Sequence, residues 1–191
     1  IYTAGIYLDL YGELESPGIS VNSELPRSLV EDKRISQKPY GREKQILFGD
    51  THVHTTYSTD AFLWSLPILN GEGPHPISDA CDFARFCANL DFWVSTDHAE
   101  ALTPRKWKSI KEAVRNCNNP TDVSEPDLVT FLGYEWTQVG NTAEDHYGHK
   151  NVMFRDIEEG KVPKRAIGAG GIATTGMRAG IPSQSRQLRP A

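Results

Sequence analysis

Three apolar runs in this 191-residue chain each lead into a histidine or a carboxylate. Gln45–Phe48 runs into Gly49-Asp50-Thr51-His52-Val53-His54, Asp91–Thr96 into Asp97-His98, and Leu128–Leu132 into Gly133-Tyr134-Glu135-Trp136. Short apolar runs bounded by Gly, Asp or Asn are strand signals. Between them lie helical patterns. Ala80, Phe83, Ala84 and Cys87 keep the i, i+3, i+4, i+7 spacing of one buried face, with Ser78 or Asp79 as the cap. Thr103-Pro104 starts a second helix as cap and first residue. Trp107, Ile110, Val114 and Cys117 then line its apolar face, with Lys and Arg on the other, and Asn118-Asn119-Pro120 ends it. Asn151–Phe154 is a short fourth strand candidate. The alternation predicts an α/β fold with parallel strands.

The strand ends carry the chemistry. Residues two apart in an extended chain point the same way, so His52 and His54 aim two imidazoles at one point. Imidazole nitrogen suits zinc, iron, manganese and similar ions. Asp60 follows six residues after His54, in the loop beyond Thr55-Thr56-Tyr57-Ser58-Thr59. Asp97-His98 and Glu135 close the next two strands. In barrels and open α/β sheets this edge is where sites are built. The spacing therefore predicts a metal site.

Composition sets the outer bounds. The formal net charge is −5, with 38% hydrophobic and 24% charged residues. An acidic chain with no basic stripe is not expected to bind nucleic acid. No apolar run reaches the 18 residues that a membrane span needs. Three cysteines, Cys81, Cys87 and Cys117, form no Cys-x-x-Cys pair. Three buried thiols is the simple expectation. One disulfide plus one thiol is the alternative for an exported protein. The chain does not begin with Met, so both cytoplasmic and exported locations stay open, with the N-terminus expected to be missing.

Residues 1–44, with Pro17, Pro26, Pro39 and mixed charge, read as an irregular approach. Residues 45–159 read as the metal-binding domain, and 61–77 as a loop. Residues 160–191, with six Gly, six Lys or Arg and no acidic or aromatic residue, read as a flexible tail or incomplete loop.

Phe48-Gly49-Asp50-Thr51-His52-Val53-His54-Thr55, with Ser58 and Asp60 behind it, resembles the first motif of the PHP superfamily (polymerase and histidinol phosphatase). Ser95-Thr96-Asp97-His98 resembles its second motif, Gly133-Tyr134-Glu135-Trp136-Thr137 its glutamate motif, and Gly148-His149-Lys150-Asn151-Val152 its next histidine motif. The combination is most similar to a large, uncharacterised bacterial branch, and covers about residues 46–156. The resemblance implies a distorted (β/α)₇ TIM-like barrel holding two or three divalent metals, with Zn, Mn and Fe all compatible. By position, His52 and His54 would bind the first metal, Asp60 and His98 the second and His149 the third, with Glu135 bridging. Asp97 would orient a ligand or handle a proton. The implied activity is hydrolysis of a phosphorylated small molecule, in which metals lower the pKa of a bridging water that attacks phosphorus. Oligomeric state is left open.

The family supplies further ligands from later strands, a histidine and then an Asp-x-His pair. This chain has no histidine after His149 and no acidic residue after Glu159. The expectation is a partial barrel, truncated on its C-terminal side, or a sequence altered after about residue 165. An amidohydrolase-type reaction and a non-catalytic metal- or substrate-binding module with an incomplete site are the alternatives. His75 and His146 read as solvated loop residues, and Lys106, Lys108, Lys111 and Arg115 as a solvated helix face. The four tryptophans read as core or pocket lining, with Trp136 placed to wall the site beside Glu135.

Overall fold

The computed structural model describes residues 16–37, 44–118 and 126–169. Helix α1 is Arg27–Ser36 and strand β1 is Gly49–Val53. Helix α2 spans Thr59–Ser65 and is followed by a single tight turn at Pro67–Leu69. Helix α3 is Ile77–Asp82, continuing into a wider turn at Phe83–Cys87. Strand β2 (Phe92–Ser95), helix α4 (Pro104–Cys117), strand β3 (Val129–Gln138) and strand β4 (Gly148–Phe154) complete the order.

The strands form one curled half-barrel sheet in the order β1-β2-β3-β4. β1, β2 and β3 run parallel, as the alternation predicts. β4 runs antiparallel to β3. The connection explains this: β3 and β4 are joined by the loop 139–147, too short for the dozen or more residues of a parallel crossover. β3 is also twice as long as the predicted Leu128–Leu132, so Glu135 lies within a strand instead of after it. Likewise His149 lies inside β4. Gly133 allows the sheet to close tightly at its centre, because a Cβ there would lie 2.6 Å from Val152 O and 3.0 Å from Ser95 O.

Helix α4 forms as its sequence specifies. Thr103 Oγ1 accepts the Lys106 N–H at 3.2 Å, and Pro104 occupies the first turn. Trp107, Ile110 and Val114 are at most 1% exposed and pack with Leu132 and Tyr134 of β3. Fully burying such side chains contributes about 1.5–3 kcal/mol each. The polar face is not wholly solvated: Lys111 is buried and pairs with Glu159, while Arg115 donates to Ile157 O and Glu159. These bonds, with Trp107 Nε1 donating to Pro163 O at 2.8 Å, hold the segment 157–169 against the helix. Val162, Ala166 and Ala169 are buried. The expected flexible tail is thus packed through residue 169, and its remainder lies outside the described residues.

Three other expectations are corrected. Residues 27–36 are helical, not irregular. Lys33 is buried, and its ammonium donates to Leu90 O at 2.6 Å and to Asp127 O, just before β2 and β3. It therefore plugs the sheet edge opposite the histidines, and burial pushes its pKa down. The strand begins at Gly49, and Ile46, Leu47 and Phe48 are exposed, so the apolar run predicted as a strand only leads into one. Residues 61–77 are not a plain loop, since α2 and the Pro67–Leu69 turn fall within them; α3 begins at Ile77, with no side-chain cap from Ser78 or Asp79.

Cys81 and Cys117 form a disulfide between α3 and α4, and Cys87 is free and exposed. This replaces the expectation of three buried thiols.

Candidate metal centre

Six side chains converge where β1, β2, β3 and β4 present their site-side ends. His52 lies in β1 and His54 one residue past it. Asp60 sits in the first turn of α2, His98 three residues past β2, Glu135 in β3 and His149 in β4. These residues make three overlapping groups: His52, His54 and Glu135; His54, Asp60 and His98; and His98, Glu135 and His149. In each group the candidate ligand atoms lie within 4.8 Å of one another. His54, His98 and Glu135 each belong to two groups. The imidazoles form a row, with ring centroids 4.7 Å apart for His52–His54 and His54–His98 and 5.8 Å for His98–His149.

Glu135 is the centre of the arrangement. Its side chain is 2% exposed, with Oε2 2.9 Å from His54 Nε2 and 3.2 Å from His98 Nδ1, and Oε1 against His149 Nδ1. His54 Nε2 and Glu135 Oε2 are shut off from solvent, and neither makes an aligned hydrogen bond. A buried nitrogen and carboxylate oxygen, close but not hydrogen-bonded, are a costly pair unless a cation lies between them. The donor set, four imidazoles and two carboxylates, suits a divalent transition metal.

The supporting bonds follow a pattern. Asp60 lies 3.2 Å from His54 Nδ1 and 3.3 Å from His98 Nε2. Burial alone would raise the Asp60 pKa, but the Ala61 N–H and the facing imidazoles outweigh it and hold the carboxyl below its ordinary value. Thr137 Oγ1 lies 2.9 Å from His98 Nδ1 and 3.1 Å from His149 Nδ1. Strand alternation puts Thr137 on the same face as Glu135, and register puts it directly opposite His149.

Asp97 stands outside all three groups. It is fully buried and accepts from Thr55 N–H at 2.6 Å and from Thr55 Oγ1 at 2.8 Å. Burial pushes its pKa up, against the pull of the Thr55 and Ser58 hydrogen bonds. Ser58 Oγ also accepts the His98 N–H at 2.9 Å. Asp97 thus braces the turn that carries the chain from His54 to Asp60.

Trp136 does not wall the site. It belongs to the opposite face of β3 with Tyr134, packed against the core, and its ring meets Tyr147. Trp64, read as core or lining, is exposed. His75 pairs with Asp79 on the surface, and His146 is exposed; neither joins the cluster. In the sequence Thr137 and Asn151 stand only as members of the glutamate and histidine motifs, with no role of their own, because neutral polar residues in strands carry no signature. Their i+2 spacing from Glu135 and His149 is the signal that places them on the site face.

The architecture is that of a mixed α/β protein with a histidine- and carboxylate-lined edge. Residues 41–103 and 83–169 match the family described as Protein of unknown function (DUF3604), and the chain belongs to that family. No curated protein and no solved structure matches the chain.

Proposed function

We propose that this chain is a metal-dependent hydrolase of the PHP type, acting on phosphoesters of small molecules. The observation that carries the reading is the convergence of His52, His54, Asp60, His98, Glu135 and His149, from four strands, the turns that follow β1 and β2, and the start of α2, into three connected groups. The two orphaned atoms, His54 Nε2 and Glu135 Oε2, support it from a separate direction. Zinc, manganese or iron would be held by His52, His54 and Glu135, by His54, Asp60 and His98, and by His98, Glu135 and His149. Bound ions would supply Lewis acidity and an activated water. The chain's own residues fix the geometry: Glu135 joins two groups through its two oxygens, and Asp97 keeps the Thr55–Ser58 turn in place.

The four-strand sheet is read as part of a TIM-like barrel. Its curl and its parallel β1, β2 and β3 support that reading. Among the described residues no helix is long and apolar enough to cross a membrane. The Cys81–Cys117 disulfide favours an exported location, because disulfides persist in oxidising compartments.

The deciding measurement is metal content per chain by plasma mass spectrometry on unchelated protein, followed by p-nitrophenyl phosphate hydrolysis. Two or more equivalents of a transition metal with chelator-sensitive turnover is the expected result. Absence of bound metal would overturn the reading. Metal without phosphoester turnover would leave the centre and remove the substrate class.

A further inference from the structure

Asn151 joins the two edges of the half-barrel. It lies in β4 opposite Glu135, yet its side chain reaches β1 at the far edge of the sheet, with β2 and β3 between them. Its Nδ2 donates to Thr51 O at 2.8 Å, and its Oδ1 lies 3.1 Å from His52 Nδ1.

Donor logic fixes what this means. A backbone carbonyl only accepts, so the amide NH₂ is committed to Thr51. The amide oxygen then faces His52, and it too only accepts. His52 Nδ1 must carry the proton. In the neutral ring the lone pair is therefore left on Nε2, the atom 4.0 Å from Glu135 Oε2.

We propose that Asn151 is a positioning residue that locks His52 in the Nδ1–H tautomer and presents Nε2 to the His52–His54–Glu135 group. The proposal rests on the metal reading for the use made of Nε2, but the tautomer stands on hydrogen bonding alone. Outer partners of metal-ligating histidines work this way, and losing one typically costs about 10–100-fold in metal affinity. An amide does this without adding charge to a centre that already holds two carboxylates.

The test is long-range ¹H–¹⁵N correlation NMR on the metal-free full chain at alkaline pH. The His52 signals are assigned by their loss in His52→Gln. The Nδ1–H pattern is expected in the native chain and in Asn151→Asp, whose carboxylate still accepts. Asn151→Leu should shift His52 towards Nε2–H. Zinc affinity, measured with zinc alone against a chelating dye, should fall about 10–100-fold in Asn151→Leu and recover in Asn151→Asp. An Nε2–H pattern in the native chain, or an unchanged pattern in Asn151→Leu, would overturn the proposal. If Asn151→Leu does not fold, the native and Asn151→Asp spectra decide. If no chain binds zinc, the metal reading falls while the tautomer is still decided by the spectra.

Discussion

His54 and Glu135 meet at 2.9 Å although β1 and β3 are not neighbours in the sheet. β2 lies between them, so the contact exists only because the sheet curls and brings both side chains over the β2 end, where His98 stands. Glu135 is therefore common to two of the three groups, whereas Asp60 and His149 each belong to one. Glu135→Gln should remove more bound metal per chain than Asp60→Asn or His149→Ala. Plasma mass spectrometry of the three variants, purified side by side, checks the order. Equal losses would contradict the shared role of Glu135.

The disulfide predicts a thiol count. With Cys81 and Cys117 bonded, the unfolded, unreduced chain should titrate one thiol, that of Cys87. The bridge closes a loop with a sequence separation of 36 residues. Cys81→Ser with Cys117→Ser should cost about 2–4 kcal/mol in denaturant unfolding, and adding reductant to the native chain should do the same.

Acid sensitivity follows from Glu159. Hydrogen bonds from Lys111 and Arg115 hold its carboxyl down to about 2. A depressed carboxyl contributes stability above its unfolded value, near 4.5, and that contribution is lost as pH falls towards about 2. The Tm gap between the native chain and Glu159→Gln should be constant above about pH 5 and close on acidification. Glu159 is largely exposed, so the gap should be small and shrink with added salt.

Arg85 gives the largest expected loss from a single substitution outside the site. Its guanidinium is fully buried, donates to Asp127 at 2.8 and 2.6 Å, and caps Val21 O at 3.1 Å. Arg85→Ala leaves both acceptors without their donor and should destabilise by about 3 kcal/mol. Denaturant midpoints measure it, and a cost under ~1 kcal/mol would show that water replaces the arginine.

Much of this was readable before the structure. Helix α4 was, because Thr103-Pro104 and the Trp107, Ile110, Val114 stripe agree on both cap and face. So was the gathering of His52, His54, Asp60, His98 and Glu135, since period and the ends of the apolar runs place them at one edge; His149 was readable only through the motif it shares with the PHP superfamily. The reversal of β4 was not, because it depends on the loop 139–147 and not on β4 itself. Nor was the burial of Lys33 and Lys111: a lysine has no sequence mark that tells a carbonyl-lined slot from solvent. The partners of the imidazoles, Thr137 and Asn151, depend on cross-strand register, which one sequence does not print.

Lys33 bears on modularity. Its ammonium ties α1 to the carbonyls that precede β2 and β3, at the end of the sheet away from the histidines. Moving the sheet into another protein from residue 45 onward would leave Leu90 O and Asp127 O without the donor that α1 brings. A transplant meant to carry the histidine edge intact must start upstream of α1, although the Lys33 contacts of that helix are at the opposite end of the sheet.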